Sequence, residues 1–172
     1  MKNRSFTKEK TMSHQVMSVC WLITKGKILL GLKKAVETSP LGHGLYNGFG
    51  GHNEPPESIE DTAMREFKAE SGLSVIRMRK AGILIVSYQK SELIAELHYY
   101  VVTEYSGIPE ETDEMIPRWF PLNKIPYGQM WSSDKEILPQ VLAGKKFIGT
   151  FVMDDPKSRK KISSQIAEVK VL

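Results

Sequence analysis

Short runs of apolar and β-branched residues, broken by polar or glycine-containing turns, recur along most of the chain and predict β-strands. Lys25-Gly26 supplies one such turn, and a polar stretch at 89–92 predicts a hairpin between the two longest runs. A loop is expected at 35–44 and a charged loop at 154–161. The predicted strands cover residues 16–24, 28–34, 76–88, 93–105, 118–121, 147–153 and 166–171.

A helical pattern replaces the alternation between residues 59 and 71. Ser58 can cap the helix, Asp61 resembles the partner of a weak capping box, and Gly72 is a natural stop. The residues expected to form its apolar stripe are Ile59, Ala63, Met64 and Phe67.

A second helix is predicted at 134–142, with Asp134 at its start and Pro139 kinking or shortening it. Strands interleaved with helices at these positions favour the α+β class, with a mixed sheet and helices packed on its faces. We expect one domain at 14–172, preceded by a polar, basic and flexible tail at 1–13.

Composition excludes several classes of protein. The 172 residues are 41% apolar and 26% charged, as in ordinary globular chains. The single cysteine, Cys20, can form no internal disulfide, so a cytoplasmic location is expected, and a buried core thiol is favoured over a nucleophile. No apolar run has the length of a membrane helix, and the short run at 16–23 does not predict a signal peptide. The pI near 9.1 comes without a nucleic-acid-binding motif, so no stable nucleic-acid partner is expected.

Acidic residues are concentrated at 51–72 within this otherwise basic chain. Glu66 and Glu70 are four residues apart and share a helix face with Ala69. These carboxylates could form a solvated acidic face or could bind a hard dication such as Mg²⁺ or Mn²⁺. The basic parts of the chain could steer an anionic substrate toward them.

The segment GHNEPPESIEDTAMREFKAESGL resembles the Nudix box, G-x5-E-x7-R-E-U-x-E-E-x-G-U, in which U is a bulky aliphatic or similar residue and Phe67 is counted as U. Eight of the nine specified positions match, and the ninth is Ala69. The resemblance implies the Nudix α/β/α sandwich and hydrolysis of a nucleoside diphosphate linked to a further group. The matching residues are Gly51, Glu57, Arg65, Glu66, Phe67, Glu70, Gly72 and Leu73.

Further segments resemble the animal MutT-homologue triphosphatases, which remove oxidised purine nucleotides. This resemblance implies cleavage of a nucleoside triphosphate to monophosphate and pyrophosphate, sanitation of the nucleotide pool, and a monomer. The segments lie at 45–51, 113–115, 119–120, 125–126, 130–131 and 145–149.

The family pattern also implies roles for individual residues. Glu66, Glu70, Glu114 and the Gly50 carbonyl become metal ligands, and the three glutamates become catalytic.

Other matched positions imply support and phosphate binding. Glu57 and Arg65 become a structural pair. Gly51 lets the backbone approach phosphate or adopt a conformation closed to other residues. Lys33 or Lys34 could bind phosphate or be an ordinary exposed charge.

The purine pocket of the subfamily maps onto Asn47, Trp131 and Asp134, an amide, a stacking indole and a carboxyl. Ser133 stands where the subfamily has a second acid, which puts selectivity for oxidised purines in question.

Ala69 replaces a glutamate that is usually a metal ligand in the family, and His52 replaces a lysine. Three explanations of Ala69 stay open: a site with fewer metals, a chain engineered to be inactive, or a protein that binds nucleotides without cleaving them. A Nudix enzyme for another substrate is a further alternative.

Overall fold

The computed structural model describes residues 13–35, 42–158 and 160–172. The predicted tail therefore lies outside the described residues except for Ser13, with which the first strand begins. The strands are β1 (Ser13–Thr24), β2 (Lys27–Lys33), β3 (Tyr46–Asn47), β4 (Ser74–Tyr88), β5 (Ser91–Ser106), β6 (Met115–Pro121), β7 (Lys146–Met153) and β8 (Lys161–Val169). The helices are α1 (Ile59–Ser71) and α2 (Asp134–Leu142), with short 3₁₀ turns at Leu122–Lys124 and Tyr127–Gln129.

All eight strands belong to one mixed sheet with the order β3-β2-β1-β5-β4-β7-β8, and β6 pairs with β2. The pairs β1–β5 and β4–β7 are parallel, and the other pairs are antiparallel. The predicted hairpin is present as β4 and β5. Lys25 and Gly26 both have positive φ in the turn between β1 and β2, a conformation suited to a tight hairpin.

The two faces of the sheet carry separate apolar cores because successive strand residues point to opposite sides. Cys20, between Val19 and Trp21 on β1, packs with Phe67 of α1, whereas Trp21 packs on the other face with Ile137 of α2. The expected mixed sheet with a helix on each face is thus confirmed. Cys20 is fully buried, and burial raises the pKa of its thiol far above the ordinary value, as suits a core residue.

Helix α1 has the predicted bounds. Ser58 and Asp61 form a reciprocal capping box, and Gly72 ends the helix with φ of 77°. The predicted apolar stripe was wrong at Met64, which is 39% exposed. Met64 lies about 100° around the helix from Ala63, so it points away from the sheet, and Glu70 is buried instead.

Most strands begin one to three residues before the prediction, and β6 and β8 show why. Strand β8 begins at Lys161 and ends at Val169, so it is longer and earlier than the predicted 166–171. Its first half carries the polar sequence Lys161-Ile162-Ser163-Ser164, and pairing with β7 makes it a strand despite this weak pattern. Strand β6 likewise begins three residues before the prediction, because it pairs with β2 along its whole length.

Strands β1 and β2 are paired only next to their turn, from Leu22↔Leu29 to Thr24↔Lys27. Beyond that point β1 and β2 separate, and the segment from Phe49 to His52 lies along β1 in place of β2. The separation brings this glycine-rich segment between the sheet and α1, and it positions the candidate site.

Candidate active site

The glycine-rich segment is held against β1 by backbone hydrogen bonds. Phe49 exchanges two with Cys20, at 2.6 and 2.9 Å, and the Ser18 N–H donates to the Gly51 carbonyl at 2.9 Å. A side chain on Gly50 would run into the Ser18 carbonyl oxygen, and one on Gly51 would lie 2.6 Å from the Glu66 carboxyl carbon. Both glycines are therefore required by close packing and not by a left-handed backbone.

We expect Gly50→Ala to destabilise the protein by about 3 kcal/mol, because the added methyl group meets backbone that cannot move without disturbing β1. Thermal unfolding checks this. Gly128→Ala is the matched control, since a methyl group there has no neighbour within 4 Å. Equal melting temperatures for the two variants would contradict the packing argument.

Glu70 is the buried acid of the site. Only 4% of its surface is exposed, and it accepts a hydrogen bond from the Gly50 N–H at 2.8 Å. Burial raises the pKa of Glu70 to about 8, a shift that the Gly50 N–H and Lys33 oppose and that Glu66 and Glu114 increase. Three carboxylates and one ammonium group therefore act on each other at the end of α1.

Arg65 joins the glycine-rich segment to two glutamates. Its guanidinium donates to both carboxyl oxygens of Glu57, at 2.6 and 3.1 Å, to Glu66 at 2.5 Å and to the His52 carbonyl at 3.3 Å. These hydrogen bonds lower the pKa of Glu57 to about 2. Glu57 also accepts from the Glu54 N–H, so the predicted pair ties the loop before α1 to the helix.

Lys33 and Lys34 differ in their surroundings. The Lys33 ammonium lies 3.5 Å from Glu114, and its side chain is only 14% exposed. Lys34 points elsewhere, donating to the Thr112 carbonyl and to Glu111, both at 2.7 Å. Lys33 is therefore the lysine that faces the carboxylates.

The donor set suits a hard divalent cation in its chemistry, since it offers carboxylate oxygens and the Gly50 carbonyl. Burial of Glu70 beside two other acids creates a repulsion that a dication would relieve. However, among the described residues no three His, Cys, Asp or Glu side chains form a group that could hold a metal ion. Glu66 is paired with Arg65 and Glu114 with Lys33, so the carboxylates are close without forming one coordination shell.

A cavity of about 260 Å³ opens beside this group. Gly50 and Lys33 line it together with three residues predicted to bind a purine, Asn47, Trp131 and Asp134. The structure therefore brings the predicted phosphate and base residues to one cavity. Glu66, Glu70 and Glu114 lie next to it without being part of its wall.

The polar predicted residues are held by local contacts. Asn47 donates to the Leu45 carbonyl at 3.1 Å, and Asp134 accepts from the Trp131 N–H at 3.2 Å. The indole of Trp131 lies against Gly42, where an added methyl group would be 3.2 Å from the ring. Asp134 is 5% exposed, and burial raises its pKa to about 7, so it can act as donor or acceptor near neutral pH.

Asp134 makes the stability of the protein depend on pH. Its folded-state pKa of about 7 lies above the ordinary 3.8, so the folded protein binds the Asp134 proton more tightly than the unfolded chain does. This contribution to the free energy of unfolding is complete below pH 3.8 and is lost as the pH rises to about 7. We expect Asp134→Asn to reduce this decline in the free energy of unfolding by roughly 4 kcal/mol, leaving the part due to Glu70. Denaturant unfolding from pH 4 to 8 measures it, and Asp113→Asn, an exposed carboxyl, should leave the slope unchanged. A slope equally unchanged in Asp134→Asn would contradict the assignment.

Sequence reasoning missed most of the cavity wall. Most of the missed residues lie on β1, β4, β5 and β7, and no local motif distinguishes these strand residues from core residues. Among them, the odd-numbered positions 93–99 of β5 are apolar or aromatic at every second residue. That alternation could have indicated that they share one face of the sheet and line the cavity together. The missed residues are Gln15, Met17, Ser18, Val19, Gly48, His52, Val86, Tyr88, Leu93, Ala95, Leu97, Tyr99, Met115, Ser133, Phe151, Met153, Pro156 and Ser158.

Among the described residues, no helix has the length and apolar character needed to cross a membrane.

Comparisons with known proteins agree with the arrangement. A family model described as the NUDIX domain matches residues 12–141. An oxidized purine nucleoside triphosphate hydrolase from Danio rerio is 36% identical over 137 residues, which are 80% of this chain and 85% of that protein. One with the same name from Mus musculus is 39% identical over 129 residues, 75% of this chain and 80% of that protein.

Solved structures support the fold. The crystal structure of a MutT protein from Bacillus halodurans matches with a TM-score of 0.75 and 22% identity, covering 88% of this chain and 97% of that one. The expected Nudix α/β/α sandwich is thus confirmed. Because the family model covers most of the chain and both relatives exceed 30% identity, the chain belongs to the NUDIX family of hydrolases.

Proposed function

We propose that the protein hydrolyses purine nucleoside triphosphates, oxidised ones in particular, to nucleoside monophosphate and pyrophosphate, and so cleans the nucleotide pool. One observation carries the proposal, namely that the residues expected to bind phosphate and those expected to bind a purine line the same cavity. Gly50 and Lys33, next to buried Glu70, are the phosphate residues. The purine residues are Asn47, Trp131 and Asp134. Zebrafish and mouse relatives that are 36% and 39% identical to the chain over the aligned residues bear the name of this activity.

In this proposal the purine lies in the cavity and the phosphates reach toward Lys33 and Gly50. Lys33 binds phosphate, while Glu66, Glu70, Glu114 and the Gly50 carbonyl would hold Mg²⁺ or Mn²⁺. Nudix hydrolases generally need a divalent metal, and such an ion, when bound, makes water a better nucleophile and offsets phosphate charge.

The chain's own residues prepare this end of the cavity. The Gly50 N–H fixes one Glu70 oxygen at 2.8 Å, and Arg65 fixes Glu66. The Glu57–Arg65 pair braces the loop that Gly51 brings close to α1. The three acids are the catalytic residues of this proposal.

Ala69 is the reason to propose reduced activity. It lies on the exposed side of α1 beside Glu70 and brings no oxygen to the site. This observation favours a second candidate, a protein that binds nucleotides and cleaves them slowly or not at all. Ser133 supports a further variant, a Nudix enzyme with another nucleotide substrate. In each case we propose a cytoplasmic monomer at 14–172 without a stable nucleic-acid or membrane partner.

Pyrophosphate release from 8-oxo-dGTP, 2-hydroxy-dATP, dGTP and dATP, with Mg²⁺ and with EDTA, tests the proposal. We expect metal-dependent release that is faster from the oxidised purines. Binding of these nucleotides without release would favour the binding protein. Equal release from oxidised and normal nucleotides would refute the sanitising function and favour another substrate.

A further inference from the structure

Lys33 belongs both to the cavity wall and to the group of acids beside the cavity. It lines the cavity, and its ammonium nitrogen lies 3.5 Å from a carboxyl oxygen of Glu114. Gly50 also connects the wall to the acids, through the N–H that donates to Glu70, but its backbone is packed against Ser18 and cannot move. The Lys33 contact is made by a long, flexible side chain, so Lys33 can exchange one partner for another.

The backbone around the Lys33–Glu114 ion pair is held by other hydrogen bonds. Lys33 is paired with Met115 in the register of β2 and β6. The Lys34 N–H donates to the Glu114 carbonyl at 2.8 Å, and the Glu114 N–H donates to the Thr112 hydroxyl at 3.4 Å. The ion pair can therefore open while both backbones stay where they are.

The ion pair is loose but lies where it opposes a cation. At 3.5 Å, with 49% of the Glu114 side chain exposed, it contributes little free energy in water. Burial raises the pKa of Glu70 and the charge of Lys33 opposes that rise, so the ammonium acts on a second acid as well. A dication that approaches these acids is repelled by the ammonium unless Lys33 moves away.

We propose that Lys33 couples nucleotide binding to metal binding by leaving Glu114 for the phosphate of the nucleotide. A phosphate at the Gly50 end of the cavity competes for the ammonium, and the exchange frees a carboxylate for Mg²⁺ or Mn²⁺. This inference rests on the proposed function and adds the regulation of its site. Nucleotide and metal must then strengthen each other's binding by the same factor, because the coupling is reciprocal.

The test is a titration with Mn²⁺, in which electron paramagnetic resonance measures the free ion. It is made on the protein alone, with deoxyguanosine and with dGMP, neither of which can release pyrophosphate. We expect dGMP to tighten Mn²⁺ binding to the wild-type protein about fivefold, and deoxyguanosine, which lacks the phosphate, to leave it unchanged. Calorimetric titration of dGMP with and without Mn²⁺ should give the same factor.

Lys33→Met retains the apolar stem of the side chain and removes its charge. Without nucleotide, we expect this variant to bind Mn²⁺ about fivefold more tightly than the wild-type protein, and dGMP should then add little. Lys34→Met is the matched control, because it removes the same charge from the next residue, which is paired with Glu111. It should leave both quantities unchanged. Lys33→Gln, a second neutral variant, should behave like Lys33→Met.

Glu114→Gln shows whether the effect passes through the ion pair. With no carboxylate at position 114 there is no pair for Lys33 to break. We therefore expect Lys33→Met, added to Glu114→Gln, to tighten Mn²⁺ binding by less than about twofold. A full fivefold gain in the double variant would contradict the exchange.

The outcomes separate this inference from the proposed function. Unchanged Mn²⁺ affinity in Lys33→Met, or an equal gain in Lys34→Met, would overturn the coupling while leaving the proposed hydrolysis intact. A wild-type protein that binds Mn²⁺ neither alone nor with dGMP, and releases no pyrophosphate from nucleoside triphosphates, would overturn both. Tighter Mn²⁺ binding in Lys33→Met but not in Lys34→Met, with a smaller gain from dGMP, would support the coupling even if hydrolysis proved slow.

Discussion

Glu70→Gln is expected to lower kcat for pyrophosphate release at least a hundredfold. Glu70 is the buried carboxylate of the site, and its pKa of about 8 reflects burial beside Glu66 and Glu114. A glutamine oxygen can still accept from the Gly50 N–H, so the fold should survive while the negative charge that would hold the cation is lost. Steady-state kinetics over a range of Mg²⁺ concentrations measures the effect, and saturating metal should not restore the rate.

Glu60→Gln provides the control on the same helix. Glu60 is exposed and accepts a hydrogen bond from Tyr100, which a glutamine oxygen can also accept. We expect this variant to match the wild-type rate and melting temperature. Retained turnover in Glu70→Gln would show that the proposed metal site is wrong.

Ala69→Glu is expected to raise kcat about 10- to 100-fold, the range by which removing supporting groups of a metal site commonly lowers activity. Ala69 is exposed, so a glutamate side chain can be placed there without displacing core residues. Without metal, repulsion from Glu66 and Glu70 should destabilise the helix by about 0.5 kcal/mol. Added Mg²⁺ should reverse that loss, and thermal unfolding with and without Mg²⁺ would detect it.

Ala69→Gln separates charge from size. Glutamine has nearly the same shape as glutamate but offers no carboxylate, so we expect neither the gain in kcat nor the Mg²⁺-dependent stabilisation. Equal rates for the wild-type protein and Ala69→Glu would mean that this site works without the additional carboxylate. If neither protein releases pyrophosphate and both still bind nucleotides, the binding-protein function would be favoured.

Local sequence signals predicted the elements whose ends are defined by their own residues. Helix α1 has the predicted ends because Ser58 and Asp61 cap one of them and Gly72 has positive φ at the other. Strand β8 was misplaced because half of it carries no apolar alternation and depends on β7 for its hydrogen bonds. Local sequence therefore determined where the helix begins and ends, whereas pairing with β7 determined where the edge strand β8 begins and ends.

The candidate site divides in the same way. Glu66 and Glu70 are recognisable in the sequence because they are close along one helix at a fixed spacing. Tyr99 and Phe151 are not, because they reach the cavity from strands far apart in the chain and nothing near them in sequence distinguishes them from core residues. The choice between Lys33 and Lys34 was likewise open in the sequence. In the fold, Lys33 at the end of β2 lies beside Glu114, and Lys34, just after β2, lies beside Glu111.

By itself the sequence determined the Nudix box, the α+β class and the acids available at α1, because these depend on residue type and spacing along one segment. Tertiary structure decided which acid is buried, how the glycine-rich segment takes the place of a strand beside β1, and which side chains share the cavity. Burial and the partners of a hydrogen bond depend on segments that are distant in the chain. For that reason the raised pKa values of Glu70 and Asp134 become visible only in the folded protein.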